Sequence, residues 1–350
     1  MIMAMLEFRN IIVRMPNWIG DLVMATPVLF ALKKHYPDAK LTAMVKNPLG
    51  DLLLKDPHVD ELFRFDKANG FARRNERRGI VEKLAQGKYE LGVLLTNSFS
   101  SAWWFYQARI ARRLGFATDM RSLFLTDAVP LSKDVKVQHL IKTYGRLLEP
   151  LKIETEQEPK LYLSSEEIEL AKNGLKEFGV PLDKPIIGIN PGAAYGSAKC
   201  WLPERFREVA VQMLEKTEAT ILFFGDRSGA PLVKEICQGL PKRAVNFAGV
   251  TSLRELMAYI SLCEVLLTND SGPMHIACAL DTKVVALFGS TDNVVTGPFK
   301  NAFVIRKQVE CSPCFKRTCP IDFRCMKQIS VEEVVQALMS SLSKPILVGK

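Results

Sequence analysis

Short apolar runs rich in β-branched residues alternate with stretches of helical period along most of the chain. "NIIVR" leads into a helical pattern from about Asp21 to His35, "KLTAMV" into a short helix, "ELFRF" into a basic helix, and "ELGVLL" into the helical run "SSAWWFYQARIARR". Strands separated by helices predict a parallel, doubly wound sheet, because parallel neighbours need a crossover to bring the chain back to the same edge. The rhythm loosens between about Leu114 and Pro159, passes "IETEQEPK", and then restarts. "KPIIGINPG", "ATILFFG", "AVNFA", "CEVLLTND" and "KVVALFGS" read as strands of a second sheet, with "RFREVAVQMLEK" among the intervening helices. The fold class is therefore α/β. The restart predicts two similar domains, 1–160 and 161–330, with a linker near 150–185 and a C-terminal helix and tail over 331–350.

Composition agrees with two cores: 350 residues, 48% hydrophobic and 24% charged. No window reaches the roughly 18 uninterrupted apolar residues of a membrane helix, and "MIMAMLEFRN" lacks a basic leader. A cytoplasmic chain is expected, and eight cysteines, four of them scattered singly (Cys200, Cys237, Cys263, Cys278), read as reduced thiols. Charge is uneven. Residues 1–150 hold 23 Lys and Arg against 15 Asp and Glu, a net +8, while residues 151–350 net +1. A basic first half points to an anionic ligand or surface. Its densest run, "FARRNERRGIVEKLAQGK", reads first as a solvated helix face. Nucleic-acid binding has only the charge in its favour, since no recognised module accompanies it.

Ligands of doubly wound sheets gather outside the carboxyl ends of the strands, where turns expose backbone N–H groups. Those turns are "NWIGD", "NPGAAYGSAKCW", "FFGDRSGAP", "TNDSGPMH" and "FGSTD". None follows a first strand as GxGxxG and none is GxxxxGK[ST], which counts against a dehydrogenase and a P-loop NTPase. In "LLTNDSGPMHIACAL", Asp270 or Ser271 is placed to cap a helix, Gly272 lets backbone approach closely, and Pro273 suits the first helical turn. Such a start can hold a diphosphate, with His275 pointing into the same space; capping residues and a core histidine are the plainer alternative. Lys199, before Trp201 and a helix beginning at Pro203, supplies a cation on the same edge. Asp21, delivered by Gly20 to the strand-to-helix turn, is either a helix cap or the group that does the chemistry.

"MPNWIGDLVMATPVL", "NPGAAYGSAKCW" and "LLTNDSGPMHIACALDTKVVALFGSTD" resemble the bacterial ADP-heptose:lipopolysaccharide heptosyltransferase family, and their wording is most like its heptosyltransferase II branch. The resemblance spans nearly the whole chain. It implies the GT-B architecture, two Rossmann-like domains facing each other across a cleft. It also implies an inverting, metal-independent transfer of L-glycero-D-manno-heptose from ADP-heptose to the heptosyl-Kdo2-lipid A inner core, with no cofactor. Carried over by motif, the catalytic general base falls on Asp21. The donor-binding residues fall on Lys199, Asp270, Ser271, Gly272 and His275, with Thr251 a looser match near the nucleoside. Cys200 departs from the family, which more often has a basic residue there. Another acceptor order, or a sugar-nucleotide epimerase on the same architecture, is the alternative.

The acceptor so implied is an anionic glycolipid, which suits the basic first half and raises peripheral contact with the cytoplasmic face of the inner membrane. Trp103, Trp104, Phe105 and Tyr106 followed by arginines can sit at such a surface, or the helix can simply pack on its sheet. "CSPCFKRTCPIDFRC" puts Cys311, Cys314, Cys319 and Cys325 within fifteen residues, a candidate structural thiolate site for zinc, although the spacing is not that of a zinc ribbon.

Overall fold

The computed structural model describes residues 7–66, 72–131, 137–155 and 157–343, without the side chains of 72–74 and 343. The chain divides into two compact units between Tyr162 and Leu163. In the first, β1 (Asn10–Arg14), β2 (Lys40–Lys46), β3 (Glu61–Phe65), β4 (Leu91–Leu94), β5 (Arg112–Phe116) and β6 (Asp127–Val129) form one parallel sheet in the order β3-β2-β1-β4-β5-β6. In the second, β7 (Ile186–Asn190), β8 (Thr220–Phe223), β9 (Ala244–Asn246), β10 (Val265–Asn269), β11 (Lys283–Phe288) and β12 (Ala302–Arg306) form another in the order β12-β11-β10-β7-β8-β9. Counted within each unit, the two orders are the same. Both are Rossmann-like sheets whose order reverses at one place, between β1 and β4 and between β7 and β10. The central strands β1, β4, β7, β8 and β10 are apolar on both faces because helices cover both.

Four local departures from the periodicity have physical causes. The helix expected from Asp21 to His35 is two, Ile19–Met24 and Thr26–His35, because Pro27 must occupy the first turn of a new helix. The run "SSAWWFYQARIARR" stops being helical at Gln107; Arg109 takes a left-handed φ of 58°, and Arg112 and Arg113 open β5, where Arg112 pairs with Asp127 of β6 at 2.9 Å. β12 escapes the pattern because, as an edge strand, it alternates poorly. The stretch 150–185 contains the helix Ser165–Glu177, which starts in a Ser164/Glu167 capping box. Glu167 also takes a two-pronged bond from Arg254 (2.7 and 2.6 Å), tying this helix to Leu253–Ser261. That bond holds the Glu167 carboxyl down to about 2.

The second unit packs Trp201, Phe206, Phe223, Leu267 and Leu287 around its sheet, and the closing helix Val331–Ser343 adds Val331, Val334, Val335 and Leu338. The basic helix Ala72–Gln86 buries Ile80 and Leu84 and keeps an Arg78–Glu82 pair in solvent, as a solvated face does. No helix among the described residues is long and apolar enough to cross a membrane.

Candidate active site

Each unit places its sequence-predicted acid or cation by the reversal of strand order in its sheet. In the first unit that place holds Asp21. β1 ends at Arg14, the turn runs through Asn17 and Trp18, and Asp21 enters the first turn of Ile19–Met24. The turn is fixed from beneath by Arg14, which is 3% exposed. Its guanidinium donates to the carbonyl of Met15, to that of Met44 (3.4 Å) and to Asn17 Oδ1 (2.7 Å), and lies 4.5 Å from the centre of the Phe65 ring. Burial without a carboxylate partner lowers its pKa to about 9.

Trp18, not Asp21, is the N-cap of that helix, and no side chain caps it. The Asp21 carboxylate instead accepts a hydrogen bond from the phenol of Tyr144, a buried residue of the helix Leu140–Arg146, which packs on both Ile19–Met24 and Thr26–His35. Burial first, and then the charge of Asp21, raise the Tyr144 pKa well above the ordinary phenol value. The phenol therefore stays a donor. Gly145, next in the helix, lets Thr155 pack closely, since a Cβ there would fall 1.9 Å from Thr155 Oγ1.

In the second unit the reversal brings β7 and β10 side by side, and Asn190 and Asn269 at their ends stitch the turns together. Asn190 Nδ2 donates to Gly192 O (3.0 Å), Thr268 Oγ1 (3.3 Å) and Ser271 Oγ (3.2 Å). Asn269 donates to Pro191 O (2.7 Å) and accepts from the Trp201 N–H (2.9 Å). Lys199 is delivered by this frame: its Nζ donates to Asp270 Oδ2 at 2.5 Å and lies 4.9 Å from the Tyr195 ring centre. Asp270 is 4% exposed, and the same oxygen accepts from Thr291 Oγ1 at 2.5 Å. Trp201 is buried behind the turn against Phe206.

Ser271 is the N-cap of the helix Gly272–Ala279, but no cap bond from the helix reaches its hydroxyl. That hydroxyl faces Asn190 and Thr268 (3.0 Å) instead. The capping expected of Asp270 or Ser271 is thus not what these side chains do, because each has a stronger local partner. His275 is buried in the first turn of that helix. Thr251 lies half-buried before the Ser252/Glu255 capping box, beside the paired turns after β8 and β9, where Gly249 N–H donates to Gly225 O at 2.9 Å. No hydrogen bond joins Thr251 to the Lys199 and Asp270 cluster among the described residues.

The four thiols of the loop are near neighbours: burial first, and then the charges of Cys311, Cys319 and Cys314, push the Cys325 thiol up. No group of three or more His, Cys, Asp and Glu side chains among the described residues is arranged to hold a metal ion. Cys325 is turned inward against Gly289 and Met326, while Cys311, Cys314 and Cys319 stay half-exposed. The loop braces the turns after β7 and β11 with its backbone. Phe315 N–H donates to Ser290 O (2.7 Å), Tyr195 Oη donates to Phe315 O (2.8 Å), and Ala198 N–H donates to Arg317 O (2.9 Å). Gly196 is required there, since a Cβ would meet Arg317 O at 2.3 Å.

Four residues of this arrangement carry no motif of their own. Asn190 and Thr291 stand inside the turns "NPG" and "GSTD", so the position of the turn was the available signal. Arg14 carries only the oddity of a cation closing an apolar strand. Tyr144 has none, being brought to Asp21 from 123 positions away by helix packing alone.

Comparison with known proteins agrees with this geometry. Residues 77–323 match the model of glycosyltransferase family 9 (heptosyltransferase). The chain is 32% identical to lipopolysaccharide heptosyltransferase 2 of Salmonella typhimurium, over 85% of this chain and 88% of that one. It is 30% identical to lipooligosaccharide heptosyltransferase 2 of Haemophilus influenzae, over 86% and 89%. The solved structure of Escherichia coli ADP-heptose lipopolysaccharide heptosyltransferase II superposes with a TM-score of 0.80 at 27% identity, covering 95% of this chain and 98% of that one. With two Rossmann-like sheets of GT-B type and these relatives along most of its length, the chain belongs to glycosyltransferase family 9, the heptosyltransferases, and is a glycosyltransferase.

Proposed function

We propose that the protein transfers L-glycero-D-manno-heptose from ADP-heptose to the heptosyl-Kdo2-lipid A inner core of lipopolysaccharide, adding the second heptose with inversion and without a catalytic metal, at the cytoplasmic face of the inner membrane. The observation that carries this reading is the Lys199–Asp270–Thr291 cluster beside a helix start that no side chain caps, an arrangement suited to a donor phosphate. The relatives reported above are named heptosyltransferase 2, which supports the acceptor order.

In this mechanism the acceptor hydroxyl attacks the anomeric carbon from the face opposite ADP, and Asp21 takes its proton. A carboxylate in the first turn of a helix, steadied by a neutral phenol, is an acceptor in a fixed direction. As the new C–O bond forms, the bond from the anomeric carbon to the β-phosphate oxygen breaks and its electron pair stays with ADP. Lys199 has three N–H donors; one is given to Asp270, which leaves two for the departing phosphate. Asp270 and Thr291 thus aim the ammonium. The helix Gly272–Ala279 offers backbone N–H groups from Gly272 onward. His275 and the turns after β8 and β9, with Thr251, flank the donor.

The test is ADP release from ADP-heptose with and without heptosyl-Kdo2-lipid A, in the presence of EDTA. Release that needs the acceptor and withstands EDTA is expected. Tight donor binding with no release on this acceptor would make another acceptor order the correct one, and release without any acceptor would favour an epimerase-like or hydrolytic donor reaction.

A further inference from the structure

The helix Phe99–Gln107 buries Ser101, Ala102 and Phe105 and turns Phe99, Trp103 and Tyr106 outward, at 47%, 36% and 47% exposure. These three are at i, i+4 and i+7, one face of the helix. Phe124 fills the angle beside them, edge-on to Phe99 (5.2 Å) and Trp103 (5.0 Å), while Trp103 stacks on Tyr106 at 5.7 Å. The adjoining turn extends the patch with Met120 and Leu123, 83% and 82% exposed. That turn is built to present them. Between the two, Arg121 is fully buried and donates to the carbonyls of Phe116 (2.8 Å) and Thr96 and to Asn97 Oδ1 (3.3 Å), pinning the backbone from which Met120 and Leu123 project. A contiguous, rigidly mounted aromatic and aliphatic face of this kind marks an interaction surface rather than scatter.

We propose that this face docks the protein on an anionic lipid bilayer. The charge around it selects that occupant. Asp119, beside Met120, is the single acidic residue from Asn97 to Leu125, while Arg109 is exposed at the helix end and the Arg113 guanidinium lies 5.6 Å from the Tyr106 ring centre. Residues 1–150 carry a net +8. Trp and Tyr settle at headgroup depth, aliphatic tips reach the acyl boundary, and arginines meet anionic headgroups. A second copy fits poorly, since a two-fold contact would set the same arginines against each other. The inference deepens the proposed function, whose acceptor is anchored in such a bilayer; vesicle binding is measured with neither substrate present, so the two can fail separately.

The full-length protein is sedimented with vesicles of phosphatidylethanolamine and phosphatidylglycerol, or of phosphatidylcholine alone. Binding to the anionic vesicles is expected, weaker on phosphatidylcholine and at high salt. The double variant Met120→Ser, Leu123→Ser should lose roughly tenfold or more in partitioning, with an unchanged melting temperature and unchanged ADP release on a delipidated acceptor. Arg109→Glu should weaken binding to anionic vesicles and leave the phosphatidylcholine background alone. Wild-type protein that stays in the supernatant with both vesicles overturns the proposal, and so does a double variant that sediments like wild type. A wild-type dimer that the double variant splits would assign the face to a second copy instead.

Discussion

The two units share one strand order and put opposite charges at the same topological position. After β1, the first unit holds the Asp21 carboxylate, with a phenol donating to it and the buried Arg14 beneath its turn. After β7 and β10, the second unit holds the Lys199 ammonium, with a buried carboxylate and a threonine hydroxyl aiming it. Each functional group is steadied by a partner that leaves its charge in place: a neutral donor for the acid, a doubly bonded acceptor for the cation. A parallel sheet supplies an edge of turns but not their chemistry, so one architecture can present a carboxylate in one copy and an ammonium in the other, as the proposed base and leaving-group clamp require.

The sharpest way to break this comparison is to neutralise the first site alone. Asp21→Asn should lower kcat roughly 100- to 10,000-fold while donor affinity, read by calorimetry with ADP, stays near wild type. A modest loss would return Asp21 to a structural role. Neutralising the second site, Lys199→Ala, should cost about 100- to 1,000-fold in kcat and also weaken ADP binding, because the group touches the donor. It also leaves Asp270 buried without its cation, so its melting temperature should fall, and Lys199→Ala with Asp270→Asn should recover part of that loss but none of the rate. Tyr144→Phe removes one hydrogen bond to a carboxylate and should lower kcat about 10- to 100-fold with the donor KM unchanged. A KM that rises in step would mean the phenol only holds the fold.

The smallest effect lies away from both sites and should spare activity. Glu167, held down to about 2 by Arg254, contributes stability that is present above the ordinary carboxylate pKa and is lost as pH falls through about 2. Glu167→Gln should therefore destabilise the second unit by about 1–3 kcal/mol at neutral pH. The gap from wild type should close as the pH is lowered through that range in denaturant titrations. A gap that persists at the acid end would show that the capping box, not the charge, does the stabilising.

Much of this was legible in the chain. Strand periodicity and the turn residues located both sheets and four of the turns that carry the site, because apolar runs and Gly-rich turns are local. Motif wording set Lys199 and Asp270 in one site, and the two are hydrogen-bonded in the second unit. What it misjudged were contacts decided by a third element. Ser271 reads as a cap until Asn190 and Thr268 are beside it.

Hydrophobic period and local backbone preference are enough to set the α/β class, the repeat of one topology and the residue types at each turn. Tertiary structure alone decided which residues serve others. Tyr144 reaches Asp21, Thr291 reaches Asp270, and Arg121 pins the turn that presents Met120 and Leu123, because helix packing and parallel pairing bring distant positions within bonding distance and no local pattern encodes that approach.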